Sequence, residues 1–178
     1  MRRAGETPAV RKSHSPTAHA TCVALRHGRT WRAVLLRGPS GAGKSDLALR
    51  LIEVGARLVA DDRTTLKRTG GAIMASVPAA IAGLIEVRGL GIRRLARSQL
   101  LARAPVVLLV DLVAPAAIER LPEPAHEALL GVDLPLLKLA PFEASACAKL
   151  RLAVALWLYF IAPPRLWGGA PSSGAVGY

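Results

Sequence analysis

The octapeptide GPSGAGKS, residues 38–45, has the residue types and spacing of a phosphate-binding loop. It matches the pattern GxxxxGK[ST] at every fixed position. The glycines let backbone N–H groups turn towards a phosphate, the lysine reaches the terminal phosphates, and the serine hydroxyl binds Mg²⁺. The candidate residues for binding a nucleoside triphosphate are Gly38, Pro39, Ser40, Gly41, Ala42, Gly43, Lys44 and Ser45.

Phosphoryl transfer also requires a carboxylate near the metal and, for a hydroxyl acceptor, a base that takes its proton. Two apolar runs end in such acids: VVLLVD at Asp111, and RLVADD at Asp61 and Asp62. The first run is the more typical of a metal-binding Walker B strand, so pattern alone slightly favours Asp111 for the metal. The paired acids could instead divide the work, one orienting metal or water and the other acting as the base.

The segment IEVRGLGIRRL, residues 85–95, predicts a third contribution to such a site. Its spacing places Glu86 and Arg88 on one side of a strand that ends at a glycine turn. A carboxylate and a guanidinium in this position suit a second metal or phosphate contact. The alternative is an exposed ion pair on a strand that ends at a turn.

The elements that would position these residues follow from the apolar patterning. Predicted strands lie at 21–25, 33–36, 57–60 and 106–110, with a hairpin of 64–67 and 72–76. Predicted helices lie at 44–54, near 79–84 and 116–121, and at 143–161, and Gly55 ends the first of them. Strands that alternate with helices indicate an α/β fold, with helices flanking a mixed or parallel sheet.

The length of 178 residues predicts one domain, at 19–162, between a disordered basic tail at 1–18 and a flexible C-terminal tail at 163–178. The formal charge of +12 would attract nucleotides, nucleic acid, anionic lipid or an acidic protein. Aromatic residues make up only 4%, and no run of five basic residues occurs, which disfavours nucleic-acid binding as the main function.

Two further features favour a cytoplasmic protein without a membrane partner. The basic N-terminus lacks the apolar segment of a secretory signal, and the late apolar run at 152–162 has 11 residues where a membrane span needs about 20. The two cysteines, Cys22 and Cys147, are far apart and lack CxxC spacing, which is typical of a reduced compartment.

Taken together, these motifs resemble the HPr kinase/phosphorylase family, which phosphorylates a serine of the phosphocarrier protein HPr. GPSGAGKSDLALRLI followed by GARLVADD resembles the family's P-loop helix and paired aspartates, and IEVRGLGI resembles its signature. IERL, residues 118–121, is a weaker match. The likeness covers about residues 19–152 and implies a P-loop kinase-like core, ATP and Mg²⁺ as cofactors, and an HPr-like protein as partner.

The resemblance also implies roles for single residues. Lys44 would contact the transferred phosphate, Ser45 and Glu86 would hold Mg²⁺, and Asp61 would support the metal or a water beside it. Asp62 would accept the proton of the serine in the forward reaction and return it in the reverse reaction.

Three other positions follow from the same likeness. His19 matches a family histidine at the start of the domain, and Arg120 resembles a phosphate-side arginine. Asp111 then becomes an ordinary acid at a strand end.

The resemblance implies a homo-oligomer, a hexamer in the family, and we do not expect metabolite regulation through the extra N-terminal domain that longer family members carry. A family loop associated with dephosphorylation would fall at 141–149, where its arginine and asparagine are missing. This departure puts the phosphorylase activity in doubt and leaves Lys149 or Arg151 as substitutes.

Two other functions stay open. GPSGAGKS also resembles guanylate kinases, so the chain could phosphorylate a small metabolite or a nucleotide, although it has no clear arginine-rich lid after Asp62. A nucleotide-dependent switch protein with slow hydrolysis is the other alternative.

Overall fold

Residues 16–161 are described by a computed structural model. This part of the chain forms two α-helices, α1 (Lys44–Glu53) and α2 (Ala146–Ile161), and eleven strands. The strands are β1 (Thr17–His19), β2 (Thr21–His27), β3 (Thr30–Arg37), β4 (Arg57–Ala60), β5 (Arg63–Thr69), β6 (Ala72–Ser76), β7 (Leu84–Val87), β8 (Gly91–Arg94), β9 (Arg103–Leu112), β10 (Ala125–Leu129) and β11 (Val132–Leu139).

Nine strands form one mixed sheet whose main path runs β1-β5-β6-β9-β3-β2-β4. β9 is parallel to β3 on one side and, on the other, pairs with antiparallel β6 and then with parallel β11. β2 is antiparallel to both β3 and β4, so β4 runs in the same direction as β3. The carboxyl ends of β3, β4, β9 and β11 therefore lie at one edge of the sheet. β7 and β8 form a separate ribbon.

The two faces of the sheet belong to different hydrophobic clusters. Successive residues of β9 alternate between them, since Leu108 packs in one cluster and Leu109 in the other, both fully buried. The first cluster also contains Leu51 of α1 and Leu150 of α2, so both helices cover the same face. The second cluster is built from strands at both ends of the sheet, which curls over it. The apolar run of β9 is therefore buried on both sides.

The predicted mixture of helices and a mixed sheet is confirmed, but two predicted helices are wrong. Near 79–84 and 116–121 the chain forms only 3₁₀ turns, at Ala79–Ile81 and Pro115–Ala117. Pro122 and Pro124 follow the second turn, and the residue before a proline is disfavoured in a helix. The helix predicted at 143–161 begins three residues later, at Ala146.

Three strand regions were not predicted, and one of them is β8, which follows the glycine turn after β7. β1 pairs with β5, so Thr17 and Ala18 are part of the sheet rather than of a tail that ends at residue 18. The β10–β11 hairpin fills a stretch that the sequence left unassigned, where Pro124 and Pro135 obscure the strand pattern. The remainder of the predicted N-terminal tail, residues 1–15, and the whole C-terminal tail lie outside the described residues. Across the described range, no helix is long and apolar enough to span a membrane.

Candidate active site

The loop at 38–43 joins β3 to α1, as the sequence predicts. Gly43 is the N-cap residue of α1 and has a φ of 87°, in the left-handed region that favours glycine. A Cβ atom on Gly43 would lie 2.8 Å from Cζ of Phe142, so the ring packs directly against this residue and would have to move if Gly43 carried a side chain. Among the described residues, no side chain caps the N-terminus of α1 through a hydrogen bond. The first N–H groups of the helix can therefore bind an anion.

Lys44 is held in this loop by the loop's own backbone. Its side chain is almost fully buried, and its Nζ atom donates hydrogen bonds to the carbonyl oxygens of Gly38 and Pro39, both at 2.9 Å. An ammonium group has three donors, so these two bonds position the charge and leave one donor for a ligand. The lysine therefore lies where a bound phosphate would meet it.

Asp61 is the polar centre of the site. It is buried, and its Oδ1 atom accepts hydrogen bonds from the hydroxyls of Thr21 and Ser45, each at 2.8 Å. Its Oδ2 atom accepts the backbone N–H of Glu86 at 2.9 Å. One carboxylate therefore joins the first residue of β2, the phosphate loop and the ribbon strand β7. This arrangement fits the predicted position of Asp61 beside a metal ligand.

Asp62 faces a different environment from its neighbour. It has a φ of 60°, which turns the chain between β4 and β5, and its side chain is mostly exposed. Its Oδ1 atom lies 3.1 Å from Nδ1 of His19, at the end of β1. The structure thus brings together the residue predicted as base and the histidine predicted from the family likeness, although they are far apart in sequence.

A cavity of about 260 Å³ lies in front of the phosphate loop. Its walls contain both aspartates of the pair together with Ser40, Gly41, Gly43, Lys44, Ser45 and Glu86. Three elements therefore converge on one volume: the loop before α1, the turn after β4 and the ribbon β7–β8. Asp46, Leu49, Val87, Arg88 and Phe142 complete the walls.

The residues predicted for Mg²⁺ fit a site of the kind that kinases use. The Ser45 hydroxyl and the Asp61 carboxylate are in direct contact, and Glu86 lines the same cavity. Within residues 16–161, no three His, Cys, Asp or Glu side chains form a ready-made metal cage. Mg²⁺ is commonly bound by one or two protein oxygens together with substrate phosphates, which is the arrangement this set could supply.

Asp111 does not belong to this cavity. Its Oδ1 atom accepts a hydrogen bond of 2.8 Å from Nε of Arg37, whose other nitrogens contact the carboxylate of Glu127. The hydrogen bond to Glu127 contributes most to raising the pKa of Arg37, and the same bond lowers the pKa of Glu127. The pattern-based preference for Asp111 as metal ligand is therefore wrong, because Arg37 of β3 holds this acid of β9 together with Glu127 of β10.

Arg120 and the predicted substitutes for the missing loop arginine also lie away from the cavity. Arg120 is exposed in the loop between β9 and β10 and does not line the cavity. Lys149 is paired with Glu143. Arg151 lines a different cavity, beside the end of β2. Within one described chain, none of the three basic residues reaches the phosphate loop.

Several wall or support residues were missed or misplaced by the sequence analysis, which did not name Asp46, Leu49 or Val87 as site residues. Arg88 lies in the turn after β7 rather than in the strand, and its Nη2 atom is 3.7 Å from where a Cβ of Gly41 would be. Thr21 and Phe142 were not predicted at all. The strand pattern around Thr21 signalled only burial, and Phe142 follows the proline of a loop that was noted solely for the residues it lacks.

Comparison with known proteins identifies the family of this chain. The family model described as HPr Serine kinase C-terminal domain matches residues 14–151 of the chain. The chain belongs to this family. The resemblance of its motifs is thereby confirmed for most of the residues that form the sheet and the cavity.

Individual members of the HPr kinase family resemble this chain over stretches of different length. HPr kinase/phosphorylase of Clostridium tetani is 51% identical over 59 residues, and that of Brevibacillus brevis 52% over 60. Each match covers 33% of this chain and spans only 19% of the relative. A solved structure of the Hpr(Ser) kinase/phosphatase from Coxiella burnetii superimposes with a TM-score of 0.71 at 25% identity, over 82% of this chain and 98% of that one.

Proposed function

We propose that this HPr kinase family domain is an ATP-dependent serine kinase that phosphorylates an HPr-like phosphocarrier protein. The observation that carries the proposal is that the buried Lys44 and Asp62, which pairs with His19, line the same cavity. A transferable phosphate held by the loop would thus lie in the same cavity as a carboxylate open to a protein substrate.

The residues of the chain have distinct tasks in this proposal. The phosphate loop and Lys44 hold the triphosphate, and Ser45 and Glu86 supply oxygens for Mg²⁺, with Asp61 behind them. When bound, ATP would supply the phosphoryl group, and Mg²⁺ would neutralise part of the charge on its phosphates. The buried hydrogen bonds of Asp61 keep the Ser45 hydroxyl in position, so this part of the site needs little rearrangement on binding.

Asp62 acts as the base. Its exposed carboxylate accepts the proton of the acceptor serine as the serine oxygen bonds to the γ-phosphorus and the bond to the departing ADP oxygen breaks. His19 orients Asp62 through its Nδ1 atom. The left-handed backbone at Asp62 directs this carboxylate away from the network of Asp61, which leaves it accessible to a protein substrate.

The test is mass spectrometry of an HPr-like protein after incubation with the chain, Mg²⁺ and ATP. We expect one added phosphate on a serine, and its loss with Asp62→Asn. The control is nucleotide binding by the same variant, which should persist because Asp62 is outside the phosphate loop. Bound ATP without phosphorylated HPr would contradict the proposed acceptor and favour a small-molecule kinase or a switch protein.

The reverse reaction and the assembly are separate parts of the proposal. We expect little phosphorolysis, because the loop at 141–149 supplies no arginine and its Lys149 is paired with Glu143. Adding inorganic phosphate to phosphorylated HPr measures this activity. The hexamer is tested by light scattering of the purified chain.

A further inference from the structure

One wall of the candidate active site is aromatic and open to solvent. The cavity has three large apolar side chains, Leu49, Val87 and Phe142, whereas the rest of its wall is polar or glycine. Phe142 is 71% exposed, and Leu49 and Val87 are partly buried. An exposed phenylalanine on the wall of a cavity, rather than alone on the surface, is a feature that ligand sites share.

The ring of Phe142 lies directly against the phosphate loop. Its Cζ and Cε1 atoms would be 2.8 and 3.1 Å from a Cβ on Gly43, the residue before the P-loop lysine. The neighbouring backbone is fixed to α1, since the carbonyl of Pro141 accepts a hydrogen bond from Arg50. Arg50 in turn pairs with Asp46, 2.9 Å away in the first turn of the helix. The ring is thus positioned relative to the helix that would bind the phosphates.

The topology places this loop where a nucleoside would leave the phosphate site. β11 is parallel to β9, and β9 is parallel to β3, so the loop after β11 and the loop after β3 emerge at the same sheet edge. Ligands of open α/β sheets bind at that edge. A triphosphate whose phosphates occupy the loop at 38–45 must extend its nucleoside past the walls of the cavity.

We propose that Phe142 is the residue on which the base of the nucleotide stacks. The inference deepens the proposed function and rests on nucleotide binding at this loop. Base stacking on an aromatic ring tolerates any base, because every base has a π-face. Phe142 therefore makes the site favour a nucleoside triphosphate over an inorganic polyphosphate, without selecting strongly among bases.

The test compares two ligands that share phosphates and differ in the base. Isothermal titration calorimetry measures the dissociation constants of a non-hydrolysable Mg-ATP analogue and of Mg-tripolyphosphate. We expect Phe142→Ala to weaken binding of the ATP analogue by about 5- to 150-fold and to leave tripolyphosphate within about twofold. Phe142→Trp should retain the affinity for the analogue. Leu121→Ala is the control, because Leu121 is 87% exposed and outside the cavity.

Three results would overturn the inference. The first is that Phe142→Ala weakens the affinity for both ligands equally, which would indicate that the ring only supports the loop, and the second is that it weakens neither. The third contradicting result is failure of Phe142→Trp to bind the analogue. The assay needs no acceptor protein. If Phe142→Ala gives the expected result but the unmodified chain does not phosphorylate HPr, the proposed acceptor is wrong while the proposed role of Phe142 is still supported.

Discussion

Replacing Asp61 and Asp62 by asparagine, one at a time, should separate stability from catalysis. Asp61 accepts three hydrogen bonds, from Thr21, Ser45 and the N–H of Glu86. An amide has only one acceptor oxygen, so in the Asp61→Asn variant either orientation of the new side chain directs its NH₂ group at one or more of these donors. Leaving a buried polar group unsatisfied costs about 1–3 kcal/mol. Since each kcal/mol shifts Tm by about 2–4 °C in a domain of this size, we expect Asp61→Asn to lower Tm by about 2–12 °C.

The matched change at Asp62 should leave Tm within about 2 °C. The side chain is 61% exposed, and asparagine is enriched in the left-handed region that the φ of 60° requires. Phosphotransfer should nevertheless fall by about 10²–10⁴-fold if the carboxylate is the base. Thermal unfolding followed by circular dichroism, together with the phosphorylation assay, measures both effects. Equal losses of Tm for the two variants would refute the division of roles.

Three other perturbations test the loop, an ion pair and the core. Gly43→Ala should weaken nucleotide binding in calorimetry more than Gly55→Ala, which imposes a similar left-handed strain but meets no atom within 4 Å. Arg37 lowers the pKa of Glu127 in the folded state below the value of about 4.3 that is usual for an unperturbed glutamate. The ion pair should therefore stabilise the fold fully above about pH 4.3, and this stabilisation should be lost as pH falls through the lower pKa of the folded state. Urea unfolding across this range should show the loss in the unmodified chain and not in Glu127→Gln. Leu109→Ala, at a fully buried position of β9, should lower the free energy of unfolding by about 2–5 kcal/mol in the same assay.

The sequence predicted the parts of the site that depend on neighbouring residues. The phosphate loop, the helix after it and the acids at the end of β4 each have a local pattern, and the structure places them together. The role of Asp111 depended on residues far away in sequence: Arg37 is separated from it by 74 positions and from Glu127 by 90. An apolar run that ends in an aspartate looks the same whether the acid meets a metal or an arginine.

The same limitation applied to the two adjacent aspartates. In the sequence both residues are carboxylates at the end of a strand, and only the backbone conformation gives them different surroundings. Asp61 directly follows β4 and meets the first residue of β2, whereas Asp62 has a left-handed backbone and its side chain meets His19 at the end of β1. β1 itself was missed because three residues are too few for a periodic pattern, so the contact of His19 rested on resemblance alone.

The loop after β11 connects the two proposals. This loop lacks the arginine and asparagine of the family pattern, and it contains the exposed Phe142 against the phosphate loop and Glu143 paired with Lys149. In our proposal Phe142 offers a surface for the base of a nucleotide. The loop supplies no arginine, and its Lys149 is paired with Glu143, so no free positive charge of this loop would hold inorganic phosphate beside a phosphoserine. Both features would act in the same direction, because each would favour binding of the nucleoside triphosphate over entry of the phosphate that drives the reverse reaction. We therefore expect loss of reversal and dependence on the nucleotide base to occur together in this chain.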